Sequence, residues 1–373
     1  METSSPLFFT FANMVSSAFE TIFRERLLLW AAGIHRPMPW KGEKNPYLVW
    51  LSEIILQQTR VEQGLPYFEK FKAAYPRVED LAAAPPDEVM KLWEGLGYYS
   101  RARNLQAAAQ VVSQQWNGQF PTRYEELLRL PGVGPYTAAA IASFAFGLPH
   151  AVLDGNVFRI LARISGSDTP IDTTPGKKFF SALAEQLLDK ERPAHYNQAI
   201  MDFGALQCVP KNPDCPRCPF VDSCVAYQSS TVEQLPVKAK KLVRKDRYFH
   251  YFVFQWENQL LIQKRTDKDI WQELYEFPLI ETAQLDYTGW QASGLWQDLG
   301  LPGSLPVQRT AGPFRQQLTH QRIIGIFREF RLAKTPFPLP DAYLVINRKN
   351  LSKFAFPKLI DCYLRDISLN LFE

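Results

Sequence analysis

Residues 130–138, LPGVGPYTA, constrain the fold of this chain most strongly, because they join two runs with helical spacing of apolar residues. Gly132 and Gly134 flank one valine, and glycines so placed let a chain reverse tightly between two helices. The second helix then begins with N–H groups that lack a partner inside it, and such amides bind anions. The stretch therefore predicts a helix–hairpin–helix. Two interpretations stay open here: the amides hold a DNA phosphate, or the turn alone needs glycine.

The sequence around this hairpin predicts two domains of different class. Residues 17–225 carry apolar residues at helical spacing, interrupted by Pro, Gly and Asn, which predicts a compact all-α body. From residue 248 onward, aromatic and β-branched residues alternate in part, which predicts strands in an α+β domain. The predicted bounds are 1–16 for an N-terminal extension, 17–228 for the helical domain, 229–247 for a basic connector and 248–373 for the α+β domain.

Composition narrows the class of protein without deciding it. No apolar run reaches the roughly 18 residues that a membrane span needs. The N-terminus has neither a basic region before its apolar patch nor a clear cleavage site, so we expect no signal peptide. The net charge of +4 and the pI of about 8.7 are compatible with a polyanionic partner. Many proteins without a nucleic-acid partner share that balance. We expect a cytoplasmic protein.

Four of the five cysteines lie in one segment with the spacing C-x6-C-x2-C-x5-C. In a chain without an export signal, crowded cysteines indicate a metal site before a disulfide framework. Four thiolates bind either zinc or a [4Fe–4S] cluster. Structural zinc usually has two close cysteine pairs, and here only one pair is close, so the wide first gap favours the cluster. The four cysteines are Cys208, Cys215, Cys218 and Cys224.

Two carboxylates stand out for general acid and electrostatic roles. Glu53 lies in VWLSEIILQQTRV, a helix that is apolar nearly all round and so predicted to be buried. Burial raises the pKa of a carboxyl group, as a general acid requires, although a glutamate at the solvent margin of a helix is the commoner case. Asp154 precedes Gly-Asn-Val, which makes it a candidate N-cap. The helix amides would keep it ionised, and one protonated with one ionised carboxyl suits glycoside cleavage.

The hairpin, LDGNV and the cysteine spacing together resemble the helix–hairpin–helix DNA glycosylase superfamily of endonuclease III. Within it, PWKGEKNPYLVWLSEIILQQTRV, GLGYYSRARNL and Tyr136 are similar to adenine DNA glycosylases of the MutY type. This resemblance spans roughly residues 20–225. It implies a six-helix barrel module and a cluster module, with the N-terminal helix packed against residues 145–228, and a [4Fe–4S] cluster as cofactor.

The resemblance also implies a reaction. The substrate would be double-stranded DNA in which adenine is mispaired with 8-oxoguanine or guanine, bound by a monomer in the bacterial nucleoid. Glu53 would protonate the flipped adenine, Asp154 would stabilise the sugar cation and Asn156 would orient these groups. Relatives that also cut the strand carry a lysine where this chain has Tyr136, and a tyrosine cannot form their imine. An abasic product is therefore expected.

Further site residues follow from the same resemblance. The implied adenine pocket consists of Arg36, Met38, Trp40, Leu56 and Gln198. Implied DNA contacts are the duplex wedges Gln58 and Tyr98, and the hairpin glycines Gly132 and Gly134.

The C-terminal domain resembles the Nudix-like domain of the same family, which recognises 8-oxoguanine. Its recognition loop commonly has the sequence Phe-Ser-His, and this chain has Leu318, Thr319 and His320 there. Thr319 and His320 are the implied lesion contacts. The catalytic Nudix box of clustered glutamates is missing, so nucleotide hydrolysis is not expected.

Three other functions compete with this hypothesis. An endonuclease III-like pyrimidine glycosylase with strand cleavage is opposed by Tyr136 and by the C-terminal domain. A cluster-bearing DNA-binding or redox module without catalysis is opposed by the presence of both Glu53 and Asp154. An active Nudix hydrolase is opposed by the missing glutamate box.

Overall fold

The computed structural model describes residues 16–239, 243–333 and 339–369. Apart from Ser16, the predicted N-terminal extension lies outside the described residues. The chain divides into two compact units. Unit 1 comprises residues 1–82 and 107–241, and unit 2 comprises residues 83–106 and 242–373. Residues 83–106, assigned above to the helical domain, belong to unit 2, and the domain bounds given above stay a prediction.

Twelve α-helices precede the first strand in the described residues, as the helical periodicity predicts. They are α1 (Ser17–Ala32), α2 (Pro46–Leu56), α3 (Val61–Ala74), α4 (Val78–Ala83), α5 (Pro86–Trp93), α6 (Ser100–Gln115), α7 (Tyr124–Leu127), α8 (Pro135–Phe144), α9 (Gly155–Ser165), α10 (Thr174–Leu187), α11 (Pro193–Leu206) and α12 (Val225–Gln228).

Aromatic packing fixes α1 against the later helices of unit 1. The ring of Phe23 on α1 stacks on Phe220 at a centroid distance of 4.6 Å. Phe203 on α11 meets the edges of Trp30 and Phe220 at 5.0 Å and 5.3 Å. These rings belong to one buried core with α9 and α10. Their burial holds the start and the end of the helical segment together.

Unit 2 contains a seven-stranded mixed sheet with two further helices. The strands are β1 (Lys245–Trp256), β2 (Gln259–Lys264), β3 (Tyr275–Glu276), β4 (Leu279–Thr282), β5 (Arg309–Gln317), β6 (Gln321–Arg331) and β7 (Tyr343–Asn347), and the helices are α13 (Gly294–Asp298) and α14 (Lys358–Leu369).

The sheet has the order β3-β2-β1-β6-β5, with β4 beside β1 and β7 beside β2. β1 pairs parallel with β6, and the other pairs are antiparallel. β1 is central, and its buried run from Phe249 to Phe254 shows that it is covered on both faces. The predicted α+β class is confirmed. Among the described helices, none combines the length and apolar character that crossing a membrane requires.

Candidate active site

A cleft of about 1030 Å³ opens in unit 1, and twelve of the predicted site residues line it. Its walls come from the segment between α1 and α2, from α2 itself, from the hairpin before α8, from the start of α9 and from α11. The twelve residues are Arg36, Met38, Trp40, Glu53, Leu56, Gln58, Gly132, Gly134, Tyr136, Asp154, Asn156 and Gln198. The fold thus brings together positions that are up to 162 residues apart in sequence (198 − 36).

Glu53 is the buried carboxyl group of this cleft. It lies on α2, which begins at Pro46 after the N-cap Asn45 and is buried from Tyr47 to Ile55. Only 7% of Glu53 is exposed. The pKa of Glu53 is raised to about 7, and burial is the main cause; the hydrogen bond from Tyr136 lowers this pKa, and the charge of Asp154 makes a smaller contribution that raises it. The predicted rise in pKa is confirmed.

Tyr136 reaches Glu53 from the hairpin. Gly132 has φ +74°, a left-handed conformation that favours glycine, and Gly134 is the N-cap of α8 without a side-chain cap. Tyr136 therefore sits in the first turn of α8, and its hydroxyl donates to Glu53 Oε2 at 2.6 Å. Burial and both carboxylates raise the pKa of Tyr136 well above its ordinary value. The phenol keeps its proton and acts as a donor.

Asp154 is the N-cap of α9, as the sequence predicts, and accepts from the Val157 backbone N–H at 2.8 Å. The Asn156 side chain donates to its other oxygen at 3.1 Å. Burial nevertheless raises the pKa of Asp154 above its ordinary value, against the opposing hydrogen bonds and the charge of Arg159. Burial therefore opposes the helix amides, and an ionised Asp154 stays a prediction.

Arg159 extends this arrangement away from the cleft, and the sequence analysis missed it. Its Nη2 donates to Asn156 Oδ1 at 2.9 Å and to the Gly204 carbonyl at 2.7 Å. Its Nε donates to the Cys208 carbonyl at 2.8 Å. The signal available in the sequence was that Arg159 follows Asn156 by three residues, which places the two side chains on the same face of a helix. Arg159 thus connects the residue that holds Asp154 to the start of the cysteine segment.

The four cysteines line one small cavity with apolar side chains of α9 and α11. None of the four forms a disulfide. Arg163 on α9 donates to Cys208 Sγ at 3.4 Å and to the Val209 carbonyl at 2.8 Å. In the part of the chain that the structure describes, no three potential ligands converge as closely as a single metal ion requires. A purely thiolate donor set around a cavity fits an iron–sulfur cluster.

Both predicted duplex wedges have left-handed backbone conformations. Gln58, in the turn after α2, has φ +55°, and Tyr98, between α5 and α6, has φ +47°. Such conformations cost non-glycine residues about 1–3 kcal/mol each and concentrate at functional sites. Tyr98 is 46% exposed although its ring is large and aromatic. The guanidinium of Arg101 lies 5.4 Å from the centre of that ring.

Thr319 and His320 form the turn between β5 and β6 in unit 2. The turn closes with a hydrogen bond from the Leu318 N–H to the Gln321 carbonyl at 2.8 Å. His320 is exposed, and Thr319 is half-buried. The Thr319 and Tyr98 hydroxyls lie 2.8 Å apart, so a predicted lesion contact and a predicted wedge are hydrogen-bonded within unit 2.

Comparison with known proteins shows the family of this chain. Residues 51–186 match the family described as HhH-GPD superfamily base excision DNA repair protein, and residues 250–366 match the NUDIX domain. A protein of Buchnera aphidicola subsp. Schizaphis graminum named adenine DNA glycosylase is 36% identical over 262 residues, which cover 70% of this chain and 76% of the relative. The chain belongs to the adenine DNA glycosylase family. The human protein of that name is 42% identical over 224 residues, which cover 58% of this chain and 41% of the relative.

Solved structures share the fold of the helical part of the chain. A structure described as a thermostable thymine-DNA glycosylase has a TM-score of 0.54 and 30% identity, covering 58% of this chain and 99% of that chain. A non-covalent endonuclease III–DNA complex has a TM-score of 0.51 and 23% identity with the same coverage, which shows a shared fold. Together with the two family matches, they confirm the predicted helix–hairpin–helix glycosylase body and Nudix-like domain.

Proposed function

We propose that this chain removes adenine mispaired with 8-oxoguanine or guanine from duplex DNA, acting as a monomer and leaving an abasic site. The observation that carries the proposal is Glu53, a carboxyl group with a pKa of about 7 in a cleft large enough for a flipped base. The names of its relatives support adenine as the base.

In the proposed reaction, Glu53 donates its proton to N7 of the flipped adenine. The bond between C1′ of the sugar and N9 of the base then breaks, and its electron pair leaves with the neutral adenine. Asp154 stabilises the positive sugar from its place at the start of α9, with Asn156 fixing one carboxylate oxygen. Glu53, now ionised, accepts a proton from the water that adds to C1′.

Tyr136 supports a reaction that stops at the abasic site. Strand cleavage through an imine needs an amine nucleophile, and a phenol that keeps its proton supplies none. Its hydrogen bond to Glu53 gives it another role, that of holding the acid in place. This contact favours base release alone over the endonuclease III-like alternative with strand cleavage.

Further residues are proposed to bind the base and the duplex. We propose that the adenine pocket is built from Arg36, Met38, Trp40, Leu56 and Gln198. The backbone N–H groups in the first turn of α8, after the hairpin glycines Gly132 and Gly134, would hold a DNA phosphate. Gln58 and Tyr98 would insert into the duplex, and their strained backbones support this role.

Thr319 and His320 are proposed to read 8-oxoguanine. The exposed turn between β5 and β6 presents a hydroxyl and an imidazole, both capable of hydrogen bonds to a lesion. In a protein with both side chains changed to alanine, we expect the preference for 8-oxoguanine:A over G:A to shrink by about tenfold, the value of one good hydrogen bond. An unchanged ratio of single-turnover rates would remove this role.

Cys208, Cys215, Cys218 and Cys224 would hold a [4Fe–4S] cluster, which would cross-link the segment that follows α11. The reaction proposed above uses only side chains of the cleft. Arg159 would fix the backbone carbonyl of the first ligand, Cys208, and Arg163 would fix its sulfur atom.

One duplex assay tests the proposed function. The protein is incubated with an 8-oxoguanine:A duplex and with a thymine-glycol:A duplex, and each is analysed with and without hot alkali. Cleavage of the first duplex alone, and only after alkali, is expected. Direct nicking of the thymine-glycol duplex would favour the pyrimidine glycosylase instead.

A further inference from the structure

Asp202 is a buried carboxylate behind the cleft that the proposed reaction leaves without a role. It lies on α11, and 4% of its side chain is exposed. Arg36 Nη1 donates to one of its oxygens at 2.7 Å, and Lys41 Nζ donates to the other at 3.0 Å. Both cations belong to the segment between α1 and α2, which lines the cleft. One carboxylate thus binds two charges of one loop.

Asp202 also belongs to a helix that lines the same cleft. Gln198, one turn earlier on α11, and Met201 both line the cleft. Met201 Sδ lies 4.0 Å from the Tyr136 hydroxyl. The two ion pairs therefore join the loop wall to the helical wall. The loop has a second attachment at its other end, where Lys44 Nζ donates to the Phe144 carbonyl at 3.1 Å.

These contacts determine how the Arg36 side chain is presented. A guanidinium is planar and rigid, so binding one Nη to a buried carboxylate fixes the direction of its remaining N–H groups. Arg36 is 28% and Lys41 34% exposed at the side chain, so the pairs are screened less than surface pairs. Loss of the carboxylate charge would leave two neighbouring cations without their shared anion.

We propose that Asp202 is a positioning residue for base selection: it orients Arg36 toward the flipped base and clamps the loop between α1 and α2 against α11. This inference rests on the proposed function, because Arg36 is assigned to the pocket there. Asp202 would act through Arg36 and would not touch the base.

The test uses Asp202→Asn, which keeps the shape and removes the charge, in the full-length protein. Two duplexes are compared, each with 8-oxoguanine opposite the test nucleotide. One contains a 2′-fluorinated adenosine, whose glycosidic bond resists cleavage, and the other contains a tetrahydrofuran abasic analogue with no base to select. We expect about tenfold weaker binding of the first duplex and unchanged binding of the second. Asp222→Asn is the matched control, because Asp222 pairs with Arg26 on the exposed surface of the same unit.

A double-mutant cycle decides whether Asp202 acts through Arg36. If it does, Asp202→Asn has little further effect on adenosine-duplex binding once Arg36→Gln is present. Equal weakening on both duplexes, no weakening, or full additivity with Arg36→Gln would overturn the inference.

If Asp202→Asn does not fold, Asp202→Glu keeps both ion pairs and should weaken only adenosine-duplex binding, to a smaller extent. If the wild-type protein acts on 8-oxoguanine:A and G:A at equal rates, only the proposed mispair preference is refuted. The double-mutant cycle still tests Asp202, because it can be measured with either 8-oxoguanine or guanine opposite the adenosine.

Discussion

Glu53 in unit 1 and Glu276 in unit 2 are both buried carboxyl groups, 7% and 3% exposed, and burial raises the pKa of both. Their neighbours differ. Glu276 accepts from Arg265 Nη1 at 2.7 Å and from Gln263 Nε2 at 3.0 Å. Glu53 accepts from the neutral hydroxyl of Tyr136, and its charged neighbour is another carboxylate.

This difference separates a carboxyl group that stabilises the fold from one that can take part in a reaction. Glu276 is charge-paired with Arg265 inside the sheet, and this pair opposes the rise in the pKa of Glu276 that burial causes. Glu53 forms no ion pair among the residues that the structure describes, and it lines a cleft. A buried acid without a counter-charge retains a proton near neutral pH and can give it to a ligand.

Replacing Glu53 is expected to have the largest effect of all on activity. Glu53→Gln keeps the size and polarity of the side chain but removes the proton that would be donated. Single-turnover base release from 8-oxoguanine:A should fall by about 10²–10⁴-fold, while affinity for the uncleaved duplex stays nearly unchanged. Glu62→Gln, an exposed glutamate of the same cleft, is the control. Normal turnover in Glu53→Gln would end the assignment of the acid.

Replacing Glu276 should affect stability and leave chemistry intact. Glu276→Gln leaves Arg265 buried without its full partner, which costs about 3–5 kcal/mol. Denaturant unfolding should show a lowered midpoint for unit 2, while folded protein releases adenine at the wild-type rate. Asp246→Asn, which breaks the exposed pair with Arg322, should change the midpoint little. A catalytic loss as large as that of Glu53→Gln would remove the distinction between the two glutamates.

The sequence predicted what local patterns encode. Helical periodicity placed Glu53 on a buried helix, and the Gly-Val-Gly spacing placed Tyr136 at the start of α8. The contact between them joins positions 83 apart, and no local signal contains it. Likewise, the cap motif located Asp154 correctly, but its pKa depends on burial by distant segments.

Polar contacts across long separations were missed for the same reason. Asp87 on α5 accepts from Lys264 Nζ at 2.7 Å and from the Tyr275 hydroxyl at 2.8 Å, across 177 and 188 residues. Helical spacing around Asp87 indicates an exposed acid on an amphipathic helix, and nothing in it points to a strand of unit 2. Asp202 was missed in the same way, because its cations lie about 160 residues earlier. Periodicity reports which face is buried, not which charges meet there.

The smallest expected effect comes from Tyr136, and it tests the electrostatics of Glu53 directly. Glu53 acts in its protonated form, so base release should decline as the pH rises through about 7, the pKa of that group. The Tyr136 hydrogen bond stabilises the carboxylate and lowers this pKa. Tyr136→Phe removes the hydroxyl and keeps the ring, so the decline should move to higher pH in single-turnover profiles. Tyr124→Phe, whose hydroxyl contacts the Pro135 carbonyl of the same hairpin, should leave the profile in place. The Tyr136 hydrogen bond is the contact that lowers the pKa of Glu53 most. If the profile of Tyr136→Phe stays in place or moves to lower pH, the decline in base release is set by the ionisation of a group other than Glu53.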